Sequence, residues 1–214
     1  SVANTPIPSG YYYPNRFALI LLKALEEIMG RNGLNAVLNM GGLSHWITNP
    51  PPDNMEKSEF DFAYMAALNE ALEEMYGRRG GRGLQLRLGR VLFVEGLANF
   101  GALVGASDLA FKIMPLSTKL KAGLPAVAKV FDSLSDQTSY VVDPGEDHYL
   151  YHIARCSMCW DRKVDHPVCF IATGILEEAL RWVSSGRTFR VDEITCIGMG
   201  GQTCSYAIYK EPIG

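Results

Sequence analysis

The chain has 214 residues, 48% of them hydrophobic and 20% charged, with 20 basic against 23 acidic side chains and a formal net charge of −3. That composition excludes disorder and collagen-like repeats, and a pI near 5.8 without a dense Lys/Arg run gives no electrostatic case for nucleic acid as the partner. The apolar run at 17–22 is interrupted by Lys23, Glu26 and Glu27, well short of the roughly 18 to 20 residues that a membrane-spanning helix requires, so no span is expected.

Residues 1–15 hold Pro6, Pro8, Gly10 and Pro14 around Tyr11, Tyr12 and Tyr13, and read as an extended arm whose aromatics must lie against something. From Arg16 the period turns helical, with Phe17, Leu21, Leu25 and Ile28 on one face and Gly30 where a C-cap belongs. A short second helix is expected over 34–40 and a loop over 41–57, through Gly41, Gly42 and the Pro50, Pro51, Pro52 run. Ser58 is the expected N-cap of a helix striped by Phe60, Tyr64, Leu68, Leu72 and Met75 and closed by Gly77. The segment 77–83 (GRRGGRG) reads as a flexible connection, although its backbone N–H groups and arginines also fit an anion-binding loop. Further helices are expected over 84–103 and 108–134, the latter broken near Gly123 and Pro125. No internal repeat is apparent.

After Gln137 the pattern changes to strands over 138–143 and 148–155, a loop over 156–166, a helix opened by Pro167, and a second hairpin over 187–196 and 204–210. Strands adjacent in sequence favour an antiparallel sheet of about four strands. The expected class is therefore α+β, one domain with a helical part over 16–135 and a sheet, helix and metal-site part over 138–211.

Parity along the strand near 193 sets Glu193 on the same face as Phe189 and Val191, where a carboxylate is costly unless paired or hydrogen-bonded. Cys196 and Cys204 flank the hairpin tip, and Cys169 begins the preceding helix. Three thiolates and one carboxylate suit Zn²⁺ in a closed, structural site. The same residues are equally consistent with a core cysteine, two reduced hairpin neighbours and a Glu193 bonded to an arginine. The pair Cys156 and Cys159 opens a further alternative, a four-thiolate site of Cys156, Cys159, Cys196 and Cys204. Five cysteines, an odd number, favour reduced thiols or a metal site in the cytoplasm over a disulfide framework. His148 and His152 share a strand face and read as ordinary sheet positions, and the glycines at 198–201 join two strands, so they fail the test for a dinucleotide-binding turn.

The stretches PVCFIATGILEEAL and FRVDEITCIGMGGQTCSYAI resemble the 4-vinyl reductase, or hydrocarbon-binding, domain family, relatives of the TRAPP transport subunits and of the sensing domain of phenol-responsive activators. The positions that carry the resemblance are Cys169, Gly174, Val191, Glu193, Cys196, Met199, Gly200 and Cys204. It implies Zn²⁺ at Cys169, Glu193, Cys196 and Cys204 beside a pocket for a small hydrophobic or aromatic molecule, in a homodimeric cytoplasmic sensor rather than an enzyme. Phe93, Leu97, Phe100, Met114, Leu120 and Phe131 are the expected pocket residues. The alternatives are an enzyme or accessory factor of bacteriochlorophyll synthesis, for which no hydride-carrier signature is present, and a TRAPP-like assembly module.

Overall fold

A computed structural model describes residues 3–105 and 109–214. Strand β1 (Tyr12–Tyr13) pairs antiparallel with β2 (Phe60–Asp61), which pins the N-terminal arm to the start of the second long helix. Helices α1 (Asn15–Met40) and α2 (Phe62–Phe100) follow these strands, and α3 (Leu109–Ile113) and α4 (Leu116–Leu134) complete the helical part. Strands β3 (Thr138–Val142), β4 (His148–Arg155), β5 (Val191–Thr195) and β6 (Cys204–Tyr209) form one antiparallel sheet in the order β3-β4-β6-β5, with α5 (Phe170–Val183) between β4 and β5 in sequence. The chain is thus α+β with a four-stranded antiparallel sheet. No described helix is long and apolar enough to cross a membrane.

Alternation on β4 builds the core face of the sheet, with Tyr149, Tyr151 and Ile153 buried and His148, Leu150 and His152 half-buried on the other side. β6, central in the sheet, is buried from Cys204 to Ile208. α5 crosses α2 at glycine against glycine. A Cβ on Gly89 would lie 2.1 Å from the Ile171 carbonyl oxygen, and one on Gly174 would lie 2.2 Å from that of Leu86. Only residues without a Cβ let these two backbones touch.

Several expectations are corrected. The decapeptides ALEEIMGRNG at 24–33 and ALEEMYGRRG at 71–80 are a short internal repeat, and they adopt the same shape. Gly30 (φ 74°, ψ 172°) and Gly77 (φ 76°, ψ 171°) kink α1 and α2 without ending them, a backbone conformation that glycine takes without steric penalty. Helix resumes after each kink, so 77–83 is helical rather than a connecting loop, and 31–40 continues α1. Asp61, not Ser58, caps α2, its carboxylate accepting the Ala63 N–H at 2.7 Å, because Phe60 and Asp61 are taken up in β2. α4 runs through Pro125, and the break falls earlier, at Pro115. Asp108, where the last helical stretch was expected to open, lies outside the described residues. α5 begins at Phe170 with Cys169 at its N-cap, so Pro167 stays in the loop.

Candidate functional site: an apolar cavity beside a thiol cluster

Between α1, α2, α4, α5 and β4 lies a cavity of about 180 Å³. Its walls are almost wholly apolar, with Phe17 and Ile20 from α1, Phe93, Leu97 and Phe100 from α2, Val127 and Phe131 from α4, and Ile171 and Ile175 from α5. One end is polar. The Tyr13 hydroxyl donates to Gln137 Oε1 at 3.1 Å or shares its proton with Ser157 Oγ at 2.9 Å, and all three residues line the cavity. Burial pushes the Tyr13 and Tyr151 phenols well above their ordinary range, so both stay protonated and able to donate. Tyr13 is held by stacking on Phe17, with ring centres 5.8 Å apart, and by the tilted rings of Phe60 and Phe62.

Ser157 and Met158 reach the cavity because they are the two residues inside the Cys156-x-x-Cys159 turn that follows β4. Asn69, buried on α2, donates to the Met158 carbonyl at 3.1 Å and the Val168 carbonyl at 2.8 Å, and so clamps both ends of that loop. The cysteines of the turn face the other way. Cys156 Sγ lies 3.6 Å from Cys169 Sγ, and Cys159 Sγ lies 3.4 Å from Cys204 Sγ. Cys169 Sγ is 3.7 Å from Cys204 Sγ and 3.9 Å from Cys196 Sγ. All five thiols are free and buried. Glu193 completes the group by accepting the Cys169 N–H at 3.1 Å on Oε1 and 3.3 Å on Oε2. Burial first, and then the neighbouring Cys196, push its carboxyl up to about 8 against that N–H bond, which lowers it. Burial likewise pushes the Cys169 thiol up.

The structure therefore brings Cys169, Glu193, Cys196 and Cys204 together and adds Cys156 and Cys159 to the same cluster. Of the pocket residues named from sequence, Phe93, Leu97, Phe100 and Phe131 border the cavity, Leu120 borders a smaller adjoining one, and Met114 borders neither. Tyr13, Gln137, Ser157, Met158 and Tyr151 were missed as lining residues. The signal for Tyr13 was the aromatic run in an arm that needed something to pack on; for Ser157 it was the interior of the CxxC turn.

No family model matches the chain, and no curated protein does. Solved structures with the same fold are H-NOX proteins. One from S. oneidensis superposes with a TM-score of 0.60 at 11% identity, covering 92% of this chain and 95% of that one. A variant of the Tt H-NOX protein gives 0.58 at 11% identity over 94% and 97% of the two chains. The Fe(II) unliganded H-NOX protein from K. algicida gives 0.56 at 12% over 92% and 95%. At such identities the likeness shows the fold alone.

These findings correct two expectations. The resemblance to 4-vinyl reductase domains is not upheld, because the chain's fold matches those of H-NOX proteins. Zn²⁺, expected from the donor set and from that resemblance, is not upheld either; the group that further structures of this fold hold is heme. Whether this chain's residues fit heme is a separate matter, and they do not. Heme iron needs an axial imidazole, thiolate, phenolate or thioether with imidazole, and the cavity lining has no histidine or cysteine. His45, His148, His152 and His166 all lie off the lining, and the Tyr13 hydroxyl on it is taken up by Gln137 and Ser157. No Arg or Lys borders the main cavity to receive propionates, and about 180 Å³ is close to the roughly 150 Å³ that takes up one benzene ring. A tetrapyrrole requires several times that space.

Proposed function

We propose that this chain is a binding or sensor domain for a small hydrophobic or aromatic molecule, held in an H-NOX-type fold without heme. The observation that supports it most is the ring-sized apolar cavity closed at one end by the Tyr13, Gln137 and Ser157 hydrogen-bond group, the arrangement of an apolar site with a few convergent polar atoms. A phenolic guest buries its ring against Phe100, Ile171 and Leu97 and exchanges a hydrogen bond with that group. The readings as a pigment-synthesis enzyme or a TRAPP-like assembly module are not favoured by the fold neighbours. A cytoplasmic setting, which keeps five unpaired cysteines reduced, and a homodimer belong to this proposal as well. The test is thermal unfolding with phenol, with glucose and glycine as controls. A melting temperature that rises with the logarithm of phenol concentration, and not with the controls, is expected; no shift at millimolar phenol would overturn the reading.

The thiol cluster supports a second element. Four ligands about 2.3 Å from a central ion stand roughly 3.8 Å apart at the corners of a tetrahedron, and the Sγ separations of 3.4 to 3.9 Å match that edge. Cys156, Cys159, Cys169 and Cys204, whose sulfurs all lie within 4.8 Å of one another, are accordingly offered as the four donors of a metal-ion site, with Cys196 and Glu193 of the expected set standing beside it around Cys169. Elemental analysis of the purified protein is expected to find one ion per chain, lost in Cys204→Ser; a metal-free protein with five titratable thiols would refute the site.

A further inference from the structure

A second, smaller cavity of about 60 Å³ adjoins the first, and Phe93, Leu97 and Val127 line both, forming the partition between them. Beyond the partition the lining is Phe111, Leu120, Leu124, Leu180 and Trp182, again apolar, with one exception. Among the described residues Lys119 on α4 is the only charged side chain on either lining. It is half-buried, its ammonium 5.9 Å from the centre of the Phe111 ring, and among the described residues no carboxylate lies within ion-pair distance of it. A partly dehydrated cation with no counter-ion is an unfavourable arrangement that an anionic guest relieves.

The surrounding sequence has the same sign. α3 and α4, which cover this side of the cavities, carry Lys112, Lys119, Lys121 and Lys129 against one acid, Asp132, whose carboxylate is taken up by Ser139, in a chain whose net charge is −3. A locally cationic cover on an acidic protein raises the local concentration of anions beside it. The hydroxyl-bonding group at Tyr13 thus borders the main cavity, Lys119 borders the smaller one, and Phe93, Leu97 and Val127 are common to both.

From this arrangement we infer that the guest is an amphipathic carboxylate, its aromatic or short aliphatic body in the main cavity, its stem between Phe93, Leu97 and Val127, and its carboxylate paired with Lys119. The inference rests on the cavity being a ligand site, and it narrows the ligand class to aryl-alkanoic or medium-chain acids.

The experiment compares ω-phenylalkanoates of increasing stem length with the matching uncharged phenylalkanols by calorimetric titration, on the wild type, Lys119→Gln and Lys119→Arg. Among the described residues Lys119 holds no ion pair, so its replacement strands none of their carboxylates. The expected result is an acid over alcohol preference of about fivefold, the size of a half-exposed ion pair. It should appear only once the stem is long enough to pass the partition, vanish in Lys119→Gln and persist in Lys119→Arg. Equal affinity for acids and alcohols in wild type and Lys119→Gln would refute the carboxylate assignment and leave the cavity reading standing. Failure of acids, alcohols and phenol alike to bind would remove the cavity reading itself, and with it this inference.

Discussion

Gly89→Ala is expected to lower the melting temperature by roughly 10 °C, and Gly174→Ala by a similar amount, the overpacking cost at a close helix crossing being about 3 kcal/mol or more. Two effects oppose each other. Alanine favours helix over glycine by about 1 kcal/mol, but the new methyl at residue 89 would stand 2.1 Å from the Ile171 carbonyl oxygen and 2.8 Å from the Ile175 nitrogen. Both obstacles are backbone atoms of α5, which cannot rotate aside as a flexible side chain does, so the clash wins. Gly83→Ala is the control. Gly83 is a helical glycine of α2 with nothing within 4 Å of the added methyl, and there the propensity term acts alone, with a small stabilisation expected. Circular dichroism melts of the three variants check the order. Equal melting temperatures would show that the α2–α5 crossing is looser than described.

Tyr13→Phe carries the second large effect, on stability and on selectivity together. The hydroxyl is buried and bonded to both Gln137 and Ser157, so removing it strands two partners at a cost of about 1 to 3 kcal/mol. The ring stays, because its stacking on Phe17, Phe60 and Phe62 does not involve the oxygen. Guest preference should therefore shift while the cavity keeps its shape. Phenol is expected to lose affinity relative to toluene, whose methyl makes no hydrogen bond, and paired calorimetric titrations measure the ratio. An unchanged phenol-to-toluene ratio would mean that the Tyr13 end is not where the hydroxyl binds.

The sheet was largely legible in the sequence. β4 alternates between buried Tyr149, Tyr151 and Ile153 and the outer His148 and His152, and short turns bound it, so local pattern and tertiary burial agree. The helical part was legible in kind but not in its joints. Gly30 and Gly77 look like helix ends because glycine is the usual C-cap residue, yet here each only turns the axis and the chain resumes helix on the far side. Nothing local distinguishes the two outcomes, which are decided by what the following turn packs against. The repeat around those glycines, by contrast, is visible in the sequence as a string.

The site shows the same division. Cys169, Glu193, Cys196 and Cys204 were drawn together from strand parity and spacing, whereas the joining of Cys156 and Cys159 to them depends on how the loop over 156–169 folds back. That fold is set by Asn69, distant in sequence, bonding the Met158 and Val168 carbonyls. Phe93, Leu97 and Phe100 were legible as an apolar stretch of helix, but Tyr13 and Ser157 meet only because β1 and the turn after β4 converge. The family drawn from motif resemblance, and the ion drawn from the donor set and that resemblance, were overturned by the comparisons, because short cysteine and glycine signatures report local geometry more firmly than they report ancestry.

The central claim is that the apolar cavity takes up one ring-sized organic molecule. The most direct measurement is a methyl-resolved NMR titration with phenol, since a bound ring shifts the resonances of methyls packed against it. Met65, Met158, Ile20, Ile171 and Ile175, which line the cavity, are expected to shift and saturate together, while the exposed Ile7 and Ile213 stay fixed. Cavity methyls that remain unmoved at saturating phenol, or that shift no more than Ile7 and Ile213, would contradict it.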